Sequence, residues 1–396
     1  MVVFVDDGVR VSLTVAAFVV GAVGLASSGA GAIDPVCSHR AETSKLRLPA
    51  AVRVVTGCAT YVISPTGAAH ASNTPRLVGG GISWMAVAGV GAPVRQEGAN
   101  IAVLDGGRIV WRSHGRFRAV GVFATVGPSE IAFSDDSYGP GGEEVSLYLA
   151  RFGGAERRVG MDEHPLGWTA RGQLLSWRFQ HGLSWMYLRD RSGRLLRRVS
   201  GGLHELRFDP VNRTVLAISR RGLLERYQDG RWSPVANLAL LGLDGQPSFE
   251  RLPGNLIGVL EGRRVVVLRV DGSVFGSARF RVGNVAGESG LISNPAGTAV
   301  GFVVTDGTPG AASGRESVEL LRAGDREATV RYSARVPLDI CERWVTLAWH
   351  RGWLLYAVPG GKTLLLDTAT SPSPLDLTGL VHELAPHNNV RSIAWA

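Results

Sequence analysis

Apolar and polar positions alternate in short runs along most of this chain, and Gly, Asp or Pro interrupts each run after a few residues. Alternation with a period of two marks strands, and the interruptions mark turns. The clearest stretch begins at Leu203. Residues 203–209, 214–219, 223–228 and 231–237 read as four strands, with 210–213, Arg220-Arg221-Gly222 and Asp229-Gly230 as the turns between them. Asp-Gly between two such runs is a strong hairpin signal, because both turn positions need a positive φ. The next stretch matches in phase: 248–252, 255–261, 264–270, then Asp271-Gly272 and 273–280. The same unit covers 166–170, 173–179, 184–190 and 195–200 earlier, and 344–350, 353–358, 363–368 and 375–378 later.

Four strands per roughly 40–45 residues is the blade unit of a β-propeller. One four-stranded blade cannot bury both of its faces alone, whereas a set of blades can. The units fall at 82–117, 119–160, 164–200, 203–238, 247–282, 286–333 and 344–380. The expected fold is therefore all-β, a seven-bladed propeller closed by pairing of N- and C-terminal segments. The closing element is the segment from Val390 to Ala396, where Ile393 and Trp395 alternate with Ser392 and Ala394. It would complete the blade at 82–117, which lacks a strand before Ile82. Taking 59–64 as that strand instead leaves six or eight blades as alternatives.

Three turns resemble those of the TolB-like or WD40-like periplasmic propellers, whose inner strands end in Ser-Pro-Asp-Gly. They read Ile63-Ser64-Pro65-Thr66-Gly67, Ile292-Ser293-Asn294-Pro295-Ala296-Gly297 and Leu206-Arg207-Phe208-Asp209-Pro210. Thr66 or Ala296 stands where the family has Asp. The resemblance covers roughly 60–396 and implies architecture; it implies no particular activity. The Gly-His and Trp-Asp dipeptides of eukaryotic WD40 repeats do not occur.

Composition agrees with a β-rich chain. There are 52 glycines in 396 residues, well above the usual ~7%, and Gly weakens helix interiors. Residues 11–26 are apolar apart from Ser12 and Thr14, and Ala30-Gly31-Ala32 supplies a small-residue cleavage signal. The chain is thus expected to divide into a secretory signal peptide at 1–32, an N-terminal arm at 33–81 and the propeller at 82–396. An uncleaved anchor is the alternative for the first segment, although the run is short for a membrane span. After cleavage the expected protein is secreted or held at the cell envelope, with no transmembrane segment, and is a monomer. In an oxidising compartment the three cysteines suggest one disulfide, Cys37 with Cys58, leaving Cys341 free; pairing of Cys341 with either partner remains the alternative.

The net charge is +8, carried almost wholly by arginine, since only Lys45 and Lys362 are lysine. The arginines spread along the chain, so nucleic acid is not expected as a partner. The dense runs at 189–198 and 220–221 read as solvated strand ends, or as a surface for anionic glycan or lipid headgroups.

Marks of known chemistry are absent. No Gly-x-Ser-x-Gly elbow, Walker sequence or EF-hand loop occurs. His382-Glu383 with His387 has the wrong spacing for a zinc protease helix, so no metal site is assigned. What stands out is an expected crowding of loops on one rim: 89–99, 134–144 and 306–316. The loop 134–144 carries Asp135, Asp136, Glu143 and Glu144, and the connection Asp162-Glu163-His164 should face the same side, as should Asp306. These residues form the candidate ligand-binding rim, with Ca²⁺ as a conceivable cation for such hard oxygen ligands. The tryptophans read as core, or as platforms for sugar stacking. The sequence therefore points to an exported, non-enzymatic scaffold that binds a protein partner, small ligand or glycan on one rim. A glycan-active hydrolase or lyase using the rim carboxylates is the alternative.

Overall fold

The computed structural model describes residues 46–56, 60–71, 94–97, 100–105, 108–115, 117, 123–139, 142–209, 212–280, 284–285, 291–306, 313–336, 345–358, 361–369, 373–384 and 390–396. The expected signal peptide and Cys37, Cys58 and Cys341 lie outside them. Among the described residues there are seven antiparallel sheets and a single α-helix, Thr378–Leu384, and no helix is long and apolar enough to cross a membrane. The chain divides into two compact units, one holding Gly80–Pro234 and the other Gly31–Gly79 with Val235–Ala396.

In the first unit a three-stranded sheet (Val94–Glu97, Asn100–Asp105, Arg108–Arg112) precedes a four-stranded one (Ala124–Val126, Glu130–Gly139, Gly142–Arg151, Arg157–Met161). A seven-stranded sheet follows, from His164–Trp168 to Arg231–Asn237. Two features differ from the sequence pattern. Of residues 134–144, read there as a loop, 134–139 and 142–144 are the paired ends of the hairpin Glu130–Gly139 and Gly142–Arg151, with Asp135 opposite Ser146 and Ser137 opposite Glu144. Alternating side chains carry the ladder on past the core, so a polar strand end looked like a loop.

The units at 164–200 and 203–238 are likewise not separate. One 15-residue strand, Leu195–Asp209, pairs with Leu183–Arg189 along its first half and with Thr214–Ser219 along its second. At its midpoint a Cβ on Gly201 would stand 2.1 Å from the Trp185 ring, so only glycine lets the strand pass under that tryptophan. The Asp-Gly hairpin forms as the pattern requires. Asp229 and Gly230 have φ of 51° and 90°, the two left-handed positions of a type I′ turn between Leu223–Gln228 and Arg231–Asn237.

The second unit contains four sheets. One comprises Ser248–Leu252, Leu256–Glu261, Arg264–Arg269 and Val274–Arg279. A five-stranded sheet is built on Ala299–Asp306, Gly314–Arg322 and Thr329–Val336, with the short Asn284–Val285 and Leu291–Ser293 beside it. A third runs Thr346–His350, Trp353–Ala357, Thr363–Asp367 and Leu375–Asp376. The fourth joins the two ends of the described chain: Ala69–Ala71, Thr60–Ile63 and Val52–Thr56, with Val390–Trp395 added beside Val52–Thr56.

Terminal closure therefore occurs, but not in the blade at 82–117. Its partner lies inside the segment 33–81 set apart as an arm. The reason is apolar matching: Val54 pairs opposite Ile393, and both join Val52, Ile63, Leu355 and Leu365 in one buried cluster. The Trp395 indole N–H also donates to the Ala348 carbonyl at 2.9 Å, tying the last strand to the neighbouring sheet.

Two of the turns that resemble Ser-Pro-Asp-Gly share one geometry, while the third, at Asp209-Pro210, runs outside the described residues. Gly67 N–H donates to the Ser64 carbonyl and Gly297 N–H to that of Asn294, both at 2.9 Å, with φ of 84° and 64° at the two glycines. The side-chain oxygen of the first residue then accepts a backbone N–H four residues on, from Ala68 at 3.2 Å and from Thr298 at 2.8 Å. The first residue and the glycine shape the turn, so Thr66 and Ala296 can replace the family's Asp.

Ile393→Ala should cost about 2–5 kcal/mol by leaving a cavity between paired ends. Ala394→Ser, exposed on the same strand, should stay within about 0.5 kcal/mol. Urea midpoints of the two variants test this; equal midpoints would break the assignment of Val390–Trp395 to this cluster.

Candidate functional site

The candidate residues of the first unit gather where the hairpin Glu130–Gly139 and Gly142–Arg151 meets the start of the seven-stranded sheet. Arg157–Met161 ends beside the hairpin, Asp162 turns the chain with φ of 54°, and His164–Trp168 begins the next sheet. Asp162 N–H donates to the Val145 carbonyl at 2.7 Å, and its carboxylate pairs with Arg178 Nη2 at 2.8 Å on the exposed side.

Glu163 turns inward. Arg189 grips it with two hydrogen bonds, Nη2 to Oε1 at 2.7 Å and Nε to Oε2 at 3.1 Å. Ser176 Oγ donates to Oε2 at 2.6 Å. Arg189 Nη1 also donates to the Val159 and Gly193 carbonyls at 2.8 and 2.9 Å. Both side chains of the ion pair are under 10% exposed, at 9% and 6%. A buried pair of this kind persists only when its remaining polar atoms are hydrogen-bonded, and here Ser176 and two carbonyls do that. Arg189 is thus buried rather than the solvated strand end that its run of charges suggested. The counter-ion it needs comes from the connection just before His164–Trp168, so the local sequence does not show it.

His164 lies between Phe123 and Trp177, with ring centroids at 4.6 and 4.9 Å, and its Nδ1 is 3.0 Å from Ser134 Oγ. Burial among these groups pushes its imidazole down to about 4, so the ring is neutral at pH 7. Ser134 is fully buried.

Asp135 does not join this group. Successive side chains alternate across a strand. Ser134 shares the face of Ala132, which packs against Trp168 and Leu174, while Asp135 shares the face of Ile131 and Phe133, which pack against Ile101 and Trp111. Burial pushes the Asp135 carboxyl above its ordinary range, and its Oδ1 has no hydrogen-bond partner among the described residues. Glu144 is exposed. Asp136 and Glu143 lie in the hairpin backbone, and their side chains fall outside the described ones. Asp306 belongs to the second unit and stands opposite Arg315 in its ladder. Among the described residues no three His, Cys, Asp or Glu side chains group as metal ligands.

Sequence reading missed Ser134, Ser176 and Arg189. Ser176, polar between Leu175 and Trp177, carried a local signal; Ser134 and Arg189, each followed by an aspartate, carried none.

The sheets and their terminal pairing make this an all-β β-propeller. No family model and no curated protein matches the chain. Solved structures similar to it include a prolyl endopeptidase described in a study of inter-domain dynamics in catalysis and specificity, at 12% identity and TM-score 0.45. That match covers 80% of this chain and 54% of the other, so this chain spans about half the length of that enzyme. BamB from Moraxella catarrhalis is similar at 14% identity and TM-score 0.41, covering 81% and 92% of the two chains. The dihydro-heme d1 dehydrogenase NirN in complex with DHE is similar at 12% identity and TM-score 0.42, covering 86% and 78%.

Two outcomes follow from the buried polar groups. Arg189→Met strands the Glu163 charge and should cost about 3–5 kcal/mol. Arg178→Ala, which removes the exposed pair with Asp162, should cost under about 1 kcal/mol. Urea denaturation distinguishes them, and similar losses would contradict the burial of Glu163. The second outcome concerns pH. Unfolded histidine titrates near 6.5 and His164 in the fold at about 4, so between these values the unfolded chain binds the extra proton. The stability contributed by neutral His164 is full above pH 6.5 and is lost as pH falls to 4, by about 3 kcal/mol in all. In His164→Asn this share of the acid sensitivity should vanish, and an unchanged pH profile of the urea midpoint would refute it.

Proposed function

We propose that this chain is a non-enzymatic β-propeller that binds a protein partner, small ligand or glycan, and that it works at the cell envelope or outside the cell. The observation that supports this reading is the use made of its best candidates for acid–base work. Glu163 is held in the ion pair with Arg189, and His164 is neutral against a fully buried Ser134. Groups committed in this way brace the sheets and leave the surrounding rim to recognition. The apolar segment and the Ala30-Gly31-Ala32 signal support export.

A rival reading, a glycan-active hydrolase or lyase, draws support from Asp135 alone. Burial raises its carboxyl, the direction a general acid requires, and one of its oxygens has no hydrogen-bond partner among the described residues. Incubating the full chain with a glycan panel and analysing products by mass spectrometry separates the two. The binding reading expects no product. A product that disappears in Asp135→Asn and persists in Asp162→Asn would establish the rival. Export is tested by N-terminal sequencing of secreted material, which should begin at Ile33; retention of Met1 would refute it.

A further inference from the structure

A cavity of about 390 Å³ opens within the first unit, at the end of the seven-stranded sheet away from Asp162 and Glu163. The strand His164–Trp168 separates the two places: it starts beside Glu163 and runs into the turn of Thr169 to Gln173 that lines the cavity. Three hairpin turns converge there and bring Arg171, Arg213 and Arg231 to its wall, while the strand Leu195–Asp209 adds Arg197.

The charge of this cavity is unbalanced. Four guanidinium groups face one carboxylate in its lining, Asp229. None of the four forms an ion pair among the described residues, and Arg197 has only long contacts, to Tyr227 Oη at 3.4 Å and to the Gly230 carbonyl at 3.5 Å. Four other arginines of the same unit are matched, Arg178 by Asp162, Arg189 by Glu163, Arg194 by Asp190 and Arg207 by Glu205. The cavity thus gathers four guanidinium groups that have no ion-pair partner among the described residues. Gathering like charges is unfavourable unless an anion relieves it, and a concave site focuses the field that attracts one. Guanidinium groups suit tetrahedral oxyanions, which they can engage with two parallel hydrogen bonds. Thr169 and Gln173 add neutral polar groups, and the volume is that of a small-ligand site.

We propose that this cavity binds a small ligand bearing more than one phosphate charge, whether a free phosphate compound or the headgroup of an anionic lipid. The site is separate from the acidic hairpin, and it would stand even if that hairpin carried chemistry.

The test uses the full chain and two probes: inorganic pyrophosphate, followed by titration calorimetry, and vesicles of phosphatidylglycerol in phosphatidylcholine, followed by co-sedimentation. Saturable binding of at least one probe is expected. The exposed replacements Arg197→Gln and Arg231→Gln together should weaken it at least tenfold with an unchanged melting temperature. Arg194→Gln removes the same kind of charge at the same end of the sheet, from an arginine already paired, and should have little effect. Binding of pyrophosphate alone assigns a free phosphate ligand. Vesicle binding that pyrophosphate does not displace assigns a lipid headgroup. Failure of both probes to bind at millimolar concentration, or equal weakening in Arg194→Gln, would overturn the proposal.

Discussion

Inner strands of several sheets of this protein are buried on both faces, and that constraint governs the rest of the structure. In Thr214–Ser219 every residue from Thr214 to Ile218 is buried, and in Arg264–Arg269 the four central residues are. The strand Glu130–Gly139 shows what this requires. Ile131 and Phe133 pack toward Ile101 and Trp111, whereas Ala132 packs toward Trp168 and Leu174. A sheet of this kind is stable only when both faces are covered, since burial contributes roughly 25 cal/mol per Å². The terminal sheet instead buries one face of Val52–Thr56, with Val52, Val54 and Thr56 inside and Arg53 exposed, and extends it by pairing with Val390–Trp395.

Polar groups that enter such sheets must bring their partners. Glu163 comes with Arg189 and Ser176, His164 with Ser134, and Trp395 with the Ala348 carbonyl. Each bond links residues distant in sequence, so polar satisfaction and sheet packing are one problem. Chemistry with solvent is left to the strand ends. In the first unit the acidic hairpin belongs to the four-stranded sheet, and the cavity walled by arginine opens at an end of the seven-stranded one.

Legibility in the sequence followed the range of the interaction. Local turn chemistry was visible at several sites: Asp229-Gly230 makes the expected hairpin, and Ser64 and Asn294 shape turns that resemble the family's. Strand existence was visible because alternation is local too, and the terminal strand was recognised from Ile393 and Trp395. Its partner was not, because pairing across 300 residues depends on which apolar faces match, and Val52 and Val54 lay in a segment without an obvious repeat. The long strand Leu195–Asp209 was divided at Gly201-Gly202, where glycines that normally signal a turn instead make room for Trp185. In the candidate site, residue types drew attention to Asp135, Glu163 and His164, but the alternation of Ser134 and Asp135 assigns them to opposite faces. The four arginines of the cavity come from separate turns and strands between Arg171 and Arg231, and no short linear window contains them.

Native-state hydrogen exchange on the full chain tests the central claim, that two-faced burial makes the inner strands the rigid frame. Amides of Thr214–Ser219 and Arg264–Arg269 should exchange only through global unfolding, while the turn from Thr169 to Gln173 exchanges through local opening. Inner-strand amides that exchanged as fast as those of the turn would contradict the account.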